Sequence, residues 1–287
     1  MKAIRCAGVA AFALWMGLAV SARSAEPAPG KQPGPKQAEF AKIFAEWKTL
    51  LGDLRDLRDE YRKAASEKRP EIETRYNGLI EKGQTLQPKV LEAAEAAYRE
   101  DPKSAAEAEE FLMGTLFFRC QTENYEEALH VAKILNDNHC DDPGVHGWAG
   151  VAAFCTGDFA TAEKELKLAA DAQVFDKMGG EFSQLGPMML SEIPYYKQAS
   201  EKEEKLRAAE AKADDLPRVL LKTSKGDIEI ELFENEAPNT VANVISLVEK
   251  GFYNGTPFHR VLPMFMAQGG DPTGTGGGGA GYTIACE

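Results

Sequence analysis

The sequence contains few cysteines and histidines, and its acidic residues outnumber its basic residues. Only 5 cysteines and 4 histidines occur among 287 residues, and their spacing matches no zinc-binding pattern. Lys and Arg number 33 against 45 Asp and Glu, which gives a formal net charge of −12. A general nucleic-acid-binding protein needs a basic surface. We therefore predict no metal centre and no nucleic-acid partner.

The few cysteines limit the scope for disulfides. Beyond Cys6 the chain has Cys120, Cys140, Cys155 and Cys286. Two of these four cysteines can form a disulfide in an oxidising compartment. Cys120 and Cys155 fall at helical, half-buried positions of the pattern, where free cysteine commonly packs. We therefore favour a packing role for both.

Long hydrophobic runs are also scarce, and the longest one begins the chain. Cys6 to Val20 is apolar or small, Lys2 and Arg5 precede it, and small residues follow it. The run is shorter than the roughly 20 residues that a membrane-spanning helix needs. This pattern is typical of a cleaved signal peptide. We expect residues 1–25 to be a signal peptide, the protein to be exported to a periplasm or secreted, and no stable membrane anchor to remain.

A Pro/Gly-rich linker and a helical region come next. Residues 26–37 hold four prolines and two glycines, a composition that favours an extended linker. Over 38–101 apolar residues recur at three- and four-residue steps. We expect helices over 38–69, 71–81 and 88–99, arranged as a helical hairpin or coiled coil. A hairpin that caps the following domain is favoured over a dimerisation or partner-binding arm.

A repeat with a period of 34 residues lies within 104–213. Tyr125 aligns with Phe159 and Ala128 with Ala162, and Gly150 provides a further small residue. An aromatic residue followed by a small one lets two helices approach closely. This stretch resembles two tetratricopeptide repeats. The resemblance implies a groove for a protein partner, and a purely structural spacer stays open as the alternative.

The last part of the helical region contains two prolines. We expect 182–196 to form a degenerate third unit interrupted by Pro187 and Pro194, because proline removes a helical hydrogen bond. A solvated, Lys- and Glu-rich helix is then predicted up to Ala213. Leu216-Pro217 ends the helical region.

From Pro217 onward the periodicity changes from helix to strand. Strands are predicted over 218–223 and 227–233, joined by a turn, with Ile228 and Ile230 on one face. One buried and one solvated face suits the wall of an antiparallel barrel. A helix follows, from Pro238 to a stop at Gly251.

The stretch 258–271, which reads FHRVLPMFMAQGGD, carries the clearest signal in the chain. It resembles the active-site segment of the cyclophilins, the proline cis/trans isomerases, except that Met264 stands where the family usually has glycine. The resemblance extends from Val219 to Tyr282. The fold that it implies for the whole chain is multidomain: an all-α, tetratricopeptide-like region followed by a partial cyclophilin-like antiparallel β-barrel over 217–287.

The resemblance to the cyclophilins also implies an activity and site residues. The substrate would be a proline-containing polypeptide, and no cofactor is expected. Arg260 matches the catalytic arginine, Phe265 and Met266 match the apolar pocket for the proline ring, Gln268 matches a residue that positions the arginine and substrate, and His259 matches a residue bordering the site. Strand alternation alone would place Met266 and Gln268 on one face and Phe265 on the other.

Glu287 falls near the middle of a cyclophilin-sized domain. The cyclophilin register continues to the last residue, so we expect a fragment of a longer protein rather than a degenerate domain.

The sequence leads to two hypotheses about function. One is an isomerase that assists the folding of exported proteins. The other is a non-catalytic scaffold that binds proteins through its helical repeats and carries an incomplete isomerase domain.

Overall fold

The computed structural model describes residues 33–178, 182–262 and 265–287. The predicted signal peptide, most of the predicted linker, and Met264 lie outside the described residues. The described chain forms two compact units, one up to Lys197 and one from Gln198 onward. None of the helices in these ranges combines the length and apolar character needed to span a bilayer.

The first unit is built from helices. They are α1 (Pro35–Lys63), α2 (Arg69–Glu100), α3 (Ala106–Gln121), α4 (Tyr125–Asp137), α5 (Gly144–Cys155), α6 (Phe159–Asp171) and the short α7 (Phe175–Met178), with 3₁₀ turns at Ser66–Lys68 and Pro102–Ser104. A further helix, α8 (Phe182–Ala213), begins in the first unit and ends in the second. The helical content of this region was predicted correctly.

Helices α1 and α2 form an antiparallel pair through their apolar stripes. Trp47 of α1 and Ile80 and Val90 of α2 are fully buried in the same core. Helix α1 begins at Pro35, inside the predicted linker, and its first amides are capped from the other helix. The carboxylate of Glu100 accepts hydrogen bonds from the backbone N–H of Lys36 at 3.1 Å. A carboxylate at a helix N-terminus also offsets the positive end of the helix dipole.

The predicted break between helices over 71–81 and 88–99 is wrong. Helix α2 is continuous across Pro88. An interior proline costs a helix about 3 kcal/mol. Leu86 and Val90, on either side of it, are 8% and 0% exposed. Burying each such side chain contributes about 1.5–3 kcal/mol, which is enough to carry the helix past the proline.

The predicted interruption at Pro187 and Pro194 is likewise wrong, since α8 runs through both residues. Ile193, next to the second proline, is 2% exposed and joins a core with Phe175. The backbone of Gly186 lies against the Phe175 ring, where a larger residue would overlap. Tertiary packing therefore holds the helix where local propensity would end it.

The 34-residue repeat is present in the backbone. Helices α4 and α6 both have 13 residues, and their first residues are 34 positions apart. The turns repeat as well. Glu123 and Gly157 lie just before these two helices, have a left-handed backbone conformation and are also 34 residues apart. The same spacing separates His139 and Gln173, which have this conformation after the two helices. The chain thus repeats its helices and its turns together. Membership of the tetratricopeptide family stays a prediction.

The small residues of the repeat lie where the helices approach most closely. Ala128 and Ala162 are fully buried. A Cβ atom on Gly150 of α5 would lie 2.6 Å from Leu166 Cγ and 3.0 Å from the Leu166 backbone nitrogen of α6. Because a backbone atom cannot rotate away, only glycine allows this approach.

The described cysteines are free thiols. Cys120 is buried, its thiol donates to the Trp148 carbonyl oxygen at 3.7 Å, and burial raises its pKa to about 12. A packing role for Cys120 agrees with this position. The half-buried position expected for Cys155 is wrong, because this residue ends α5 and is exposed.

The second unit contains two separate two-stranded antiparallel sheets and one more helix. The elements are β1 (Arg218–Thr223), β2 (Gly226–Glu231), α9 (Pro238–Glu249), β3 (Arg260–Leu262) and β4 (Met266–Gln268). The described strands do not close into a barrel.

The register of β1 and β2 gathers the apolar side chains as predicted. Val219 opposes Ile230 and Leu221 opposes Ile228. The prediction that this face is buried is wrong, since the two isoleucines are 39% and 44% exposed. Alternation decides which residues share a face, but burial requires a second layer.

The close approach at Gly150 can be tested with a matched glycine. Gly150→Ala should lower the free energy of unfolding by about 1–3 kcal/mol, because the added methyl overpacks the α5–α6 contact. Gly52→Ala, in α1 with no atom within 4 Å of the new Cβ, should raise it by about 0.5–1 kcal/mol. Urea unfolding followed by circular dichroism measures both. Equal changes in the free energy of unfolding of the two variants would contradict the close approach of α5 and α6 at Gly150.

Candidate active site

The pairing of β3 with β4 gathers three of the predicted site residues. Arg260 stands opposite Gln268 and Leu262 opposite Met266. Side chains directly opposite each other, and those two residues apart, lie on the same face of an antiparallel pair. Arg260, Met266 and Gln268 therefore share one face. Arg260 is exposed, whereas the other two are half-buried.

Phe265 is not brought to this face. It lies in the turn before β4 and is 74% exposed. Its backbone N–H donates to the Leu262 carbonyl oxygen at 3.2 Å, which closes the turn. The separation of Phe265 from Met266 and Gln268 agrees with simple strand alternation.

His259 lies next to the arginine and borders the glycine-rich loop that follows β4. Both ring nitrogens are buried, and neither has a hydrogen-bond partner within the described part of the chain. A Cβ atom on Gly276 would lie 3.3 Å from Nε2, so the ring packs directly against the loop. Buried polar atoms are normally paired. The role of His259 at the border of the site stays a prediction.

The glycine-rich loop is organised by a single carboxylate. Asp271, 5% exposed, accepts hydrogen bonds from the backbone N–H groups of Thr273 and Gly276 at 2.7 Å, and of Thr275 and Gly278 at 3.1 Å. The Thr273 hydroxyl donates to the same carboxylate at 2.8 Å. Five donors around one anion define the conformation of the loop beside His259.

These hydrogen bonds control the ionisation of Asp271. Burial by itself would raise the pKa of the carboxyl group. The Thr273 hydroxyl and the amides of Gly278, Thr273 and Gly276 outweigh burial and hold the pKa well below its usual range. Hydrogen bonds to the charged form of an acid have this effect.

Sequence reasoning gave Asp271 no role. A signal was present, since an aspartate directly before a Pro-Thr-Gly run is typical of a turn in which the side chain accepts from the following amides. The number of donors depends on the path of the whole loop up to Gly278, which local rules do not supply.

The segment after the loop is attached to α9. The Glu287 carboxylate accepts from the backbone N–H groups of Asn239 at 3.1 Å and Thr240 at 2.8 Å. The Tyr282 hydroxyl donates to the Asn243 side-chain oxygen. The hydrogen bonds to Glu287 cap the N-terminus of α9 and lower the pKa of Glu287, chiefly through the Thr240 amide.

Within the described ranges, no three or more His, Cys, Asp or Glu side chains converge as metal ligands would. The site that the geometry does present combines an exposed guanidinium, a half-buried amide and a half-buried thioether. These groups can donate hydrogen bonds and offer apolar surface.

This region is similar to a known protein family. Residues 218–285 match the family model described as cyclophilin type peptidyl-prolyl cis-trans isomerase/CLD. The resemblance found in the sequence is thereby confirmed for this part of the chain. No solved structure matches significantly.

Several curated bacterial isomerases are similar over the same region. A peptidyl-prolyl cis-trans isomerase of Synechococcus elongatus is 56% identical over 72 residues, covering 25% of this chain and 50% of the relative. One from Helicobacter pylori is 47% identical over 85 residues, covering 29% and 52%. Peptidyl-prolyl cis-trans isomerase B of Bacillus subtilis is 60% identical over 60 residues, covering 21% and 42%. The chain spans about half the length of these relatives.

The role of Asp271 predicts a local and pH-dependent effect. Asp271→Asn should speed amide exchange at Gly276 and Gly278, because an amide oxygen is a weaker acceptor than a carboxylate. The pKa is depressed in the folded protein, so the stabilisation is present above the pKa of about 3.9 of an unfolded Asp and is lost as the pH falls below it. Hydrogen exchange measured by mass spectrometry at two pH values tests both points.

Asp227→Asn provides the control, since this exposed residue of β2 has the same chemistry without the five donors. An equal increase in loop exchange in both variants would show that Asp271 does not organise the loop.

Proposed function

We propose that the protein is a peptidyl-prolyl cis-trans isomerase that assists the folding of exported proteins. The observation that carries the proposal is the common face of Arg260, Met266 and Gln268, set by the register of β3 and β4 within the segment that matches the cyclophilin family model. The substrate class is an X-Pro bond in a polypeptide chain.

The chemistry requires rotation about an amide bond. Amide resonance gives this rotation a barrier of about 18–20 kcal/mol. No covalent bond is made or broken, so catalysis consists of binding the twisted amide better than either planar form. The Arg260 guanidinium donates to the proline nitrogen as it becomes pyramidal and to the neighbouring carbonyl oxygen. Its rigid fork of donors suits this role better than a lysine ammonium.

The other residues position the substrate. Gln268, directly opposite Arg260 in the ladder, orients the guanidinium and the substrate backbone. Met266 contributes apolar surface to the proline ring on the same face, and its flexible thioether adapts to the ring. Phe265 adds apolar surface from the turn, and His259 closes the side of the site next to the glycine-rich loop.

The helical unit supplies a second role in this proposal. We assign it to the tetratricopeptide-like class on the 34-residue repetition of helices and turns, and propose that it binds a client or partner polypeptide. Recruitment through one unit would raise the local concentration of X-Pro bonds at the other.

A scaffold without catalysis is the second candidate. The exposure of Phe265 (74%) and Val261 (60%) favours it, since a proline ring needs an enclosed apolar pocket. The two candidates differ in one measurable quantity, the rate of X-Pro isomerisation.

Arg260→Ala should lower that rate by about a hundredfold, the usual loss when a group that stabilises the transition state is removed. Arg260→Lys should recover little of it. Exchange NMR on a short Ala-Pro peptide with the full-length protein provides the measurement. Arg55→Ala, which removes an exposed arginine of α1, is the control and should leave the rate unchanged. An Arg260→Ala rate equal to that of the unchanged protein would favour the scaffold.

Export predicts a processed N-terminus. Expressed in a bacterial host, the mature protein should begin shortly after residues 20–25 and be recovered outside the cytoplasm. Lys2→Glu together with Arg5→Glu should block processing, because the positive n-region directs insertion. N-terminal sequencing of the fractionated protein gives the answer. An uncleaved cytoplasmic product from the unchanged gene would contradict export.

A further inference from the structure

The backbone amides of the glycine-rich loop after β4 are used within the loop itself. Each N–H group of residues 273–278 has an acceptor within 271–278. The amide of Gly274 donates to the Asp271 carbonyl oxygen at 3.1 Å, and that of Gly277 donates to the Thr275 hydroxyl at 3.3 Å. The other amides donate to the Asp271 carboxylate, and they belong to Thr273, Thr275, Gly276 and Gly278. A loop that binds a phosphate needs free amides, so anion binding is not the role of this loop.

The two threonine hydroxyls of the loop extend the same network. Thr273 Oγ1 donates to Asp271 Oδ1 at 2.8 Å and lies 2.8 Å from Thr275 Oγ1. A hydroxyl has a single proton to donate, so Thr275 is the donor in the second contact. The hydrogen bonds therefore run in one direction, from Thr275 through Thr273 to the carboxylate.

Gly278 lies directly against this carboxylate. A Cβ atom on Gly278 would overlap Asp271 Oδ1 and lie 2.8 Å from Thr273 Oγ1. A methyl group at this position therefore requires the loop to move away from Asp271. Gly279, the next residue, has no atom within 4 Å of the corresponding Cβ position. Neither glycine has a left-handed backbone, so the contact with the carboxylate distinguishes the two positions.

The loop that Asp271 holds packs along the edge of the candidate site. A Cβ atom on Gly276 would lie 3.3 Å from His259 Nε2, and one on Gly274 would lie 3.3 Å from Pro257 Cγ. Pro257 and His259 come just before β3, whose first residue is Arg260. The loop therefore covers the segment that leads into the strand of the arginine.

Covering His259 in this way costs free energy. Both of its ring nitrogens are buried, and neither has a hydrogen-bond partner in the described ranges. Such groups gain free energy when water reaches them. If the hydrogen bonds to Asp271 are weakened, hydration of the imidazole favours an open loop. The closed loop therefore depends on the carboxylate.

We propose that Asp271 is a positioning residue of the isomerase, because its carboxylate holds residues 273–278 closed over His259 as one wall of the site for the X-Pro segment. The proposal rests on the isomerase function proposed above and adds a determinant of substrate affinity to it. In this arrangement the wall borders the polypeptide next to the reacting bond, so it binds the planar and the twisted amide equally. Loss of such uniform binding raises KM and leaves kcat unchanged.

The size of the effect follows from the fraction of molecules with a closed loop. If substrate binds the closed form, the apparent dissociation constant is the intrinsic constant divided by the closed fraction. A variant in which about a fifth of the molecules are closed therefore has a KM about fivefold higher. Loss of folded protein has a different signature, since it lowers the apparent kcat and leaves KM unchanged.

Gly278→Ala tests the wall without changing a charged group. Exchange NMR over a range of Ala-Pro peptide concentrations gives KM and kcat for the full-length protein. We expect KM to rise at least about fivefold and kcat to stay within about twofold, because the methyl group displaces the loop from Asp271. Gly279→Ala is the matched control and should change neither constant. An equal KM in the two variants would overturn the proposal.

A second pair of variants keeps the test decisive if Gly278→Ala does not fold. Thr273→Val removes the hydroxyl that donates to Asp271 and keeps the shape of the side chain, so KM should rise about two- to fivefold. Thr273→Ser keeps the hydroxyl and should hold KM within about twofold of the unchanged protein. A Thr273→Ser variant as impaired as Thr273→Val, or a fall in kcat at constant KM in Thr273→Val, would overturn the role of the network.

The same kinetics separate this proposal from the proposed function. An unchanged protein that does not accelerate X-Pro isomerisation would contradict the enzyme and this proposal with it. An active protein whose KM responds neither to Gly278→Ala nor to Thr273→Val would contradict the role of Asp271 alone.

Discussion

The burial of apolar helix stripes against one another is the constraint on which the first unit depends. Trp47, Ile80, Tyr98, Leu112 and Leu135 come from successive helices α1 to α4 and are almost completely buried in one core. This core outweighs local preference, since it carries α2 across an interior proline.

The second unit is organised in a different way. Its described sheets each have two strands, and Ile228, Ile230 and Val261 remain exposed. Order near the candidate site comes instead from polar contacts, above all from the five donors around Asp271. A buried carboxylate surrounded by five donors holds its loop without an apolar layer, because moving a donor away would break a hydrogen bond to a buried charge.

The sequence by itself determined the helical period, the 34-residue repeat, the change to strands after Pro217 and the sharing of one face by Met266 and Gln268, because side-chain periodicity follows from backbone geometry. It also carried the family signal, which is a pattern of residue types. Only the tertiary structure decided that the helices continue through Pro88, Pro187 and Pro194, that Ile228 stays exposed, and that Asp271 collects five donors. Each of these depends on which distant surfaces meet, and the free energy of those contacts exceeds the local preferences that a sequence displays.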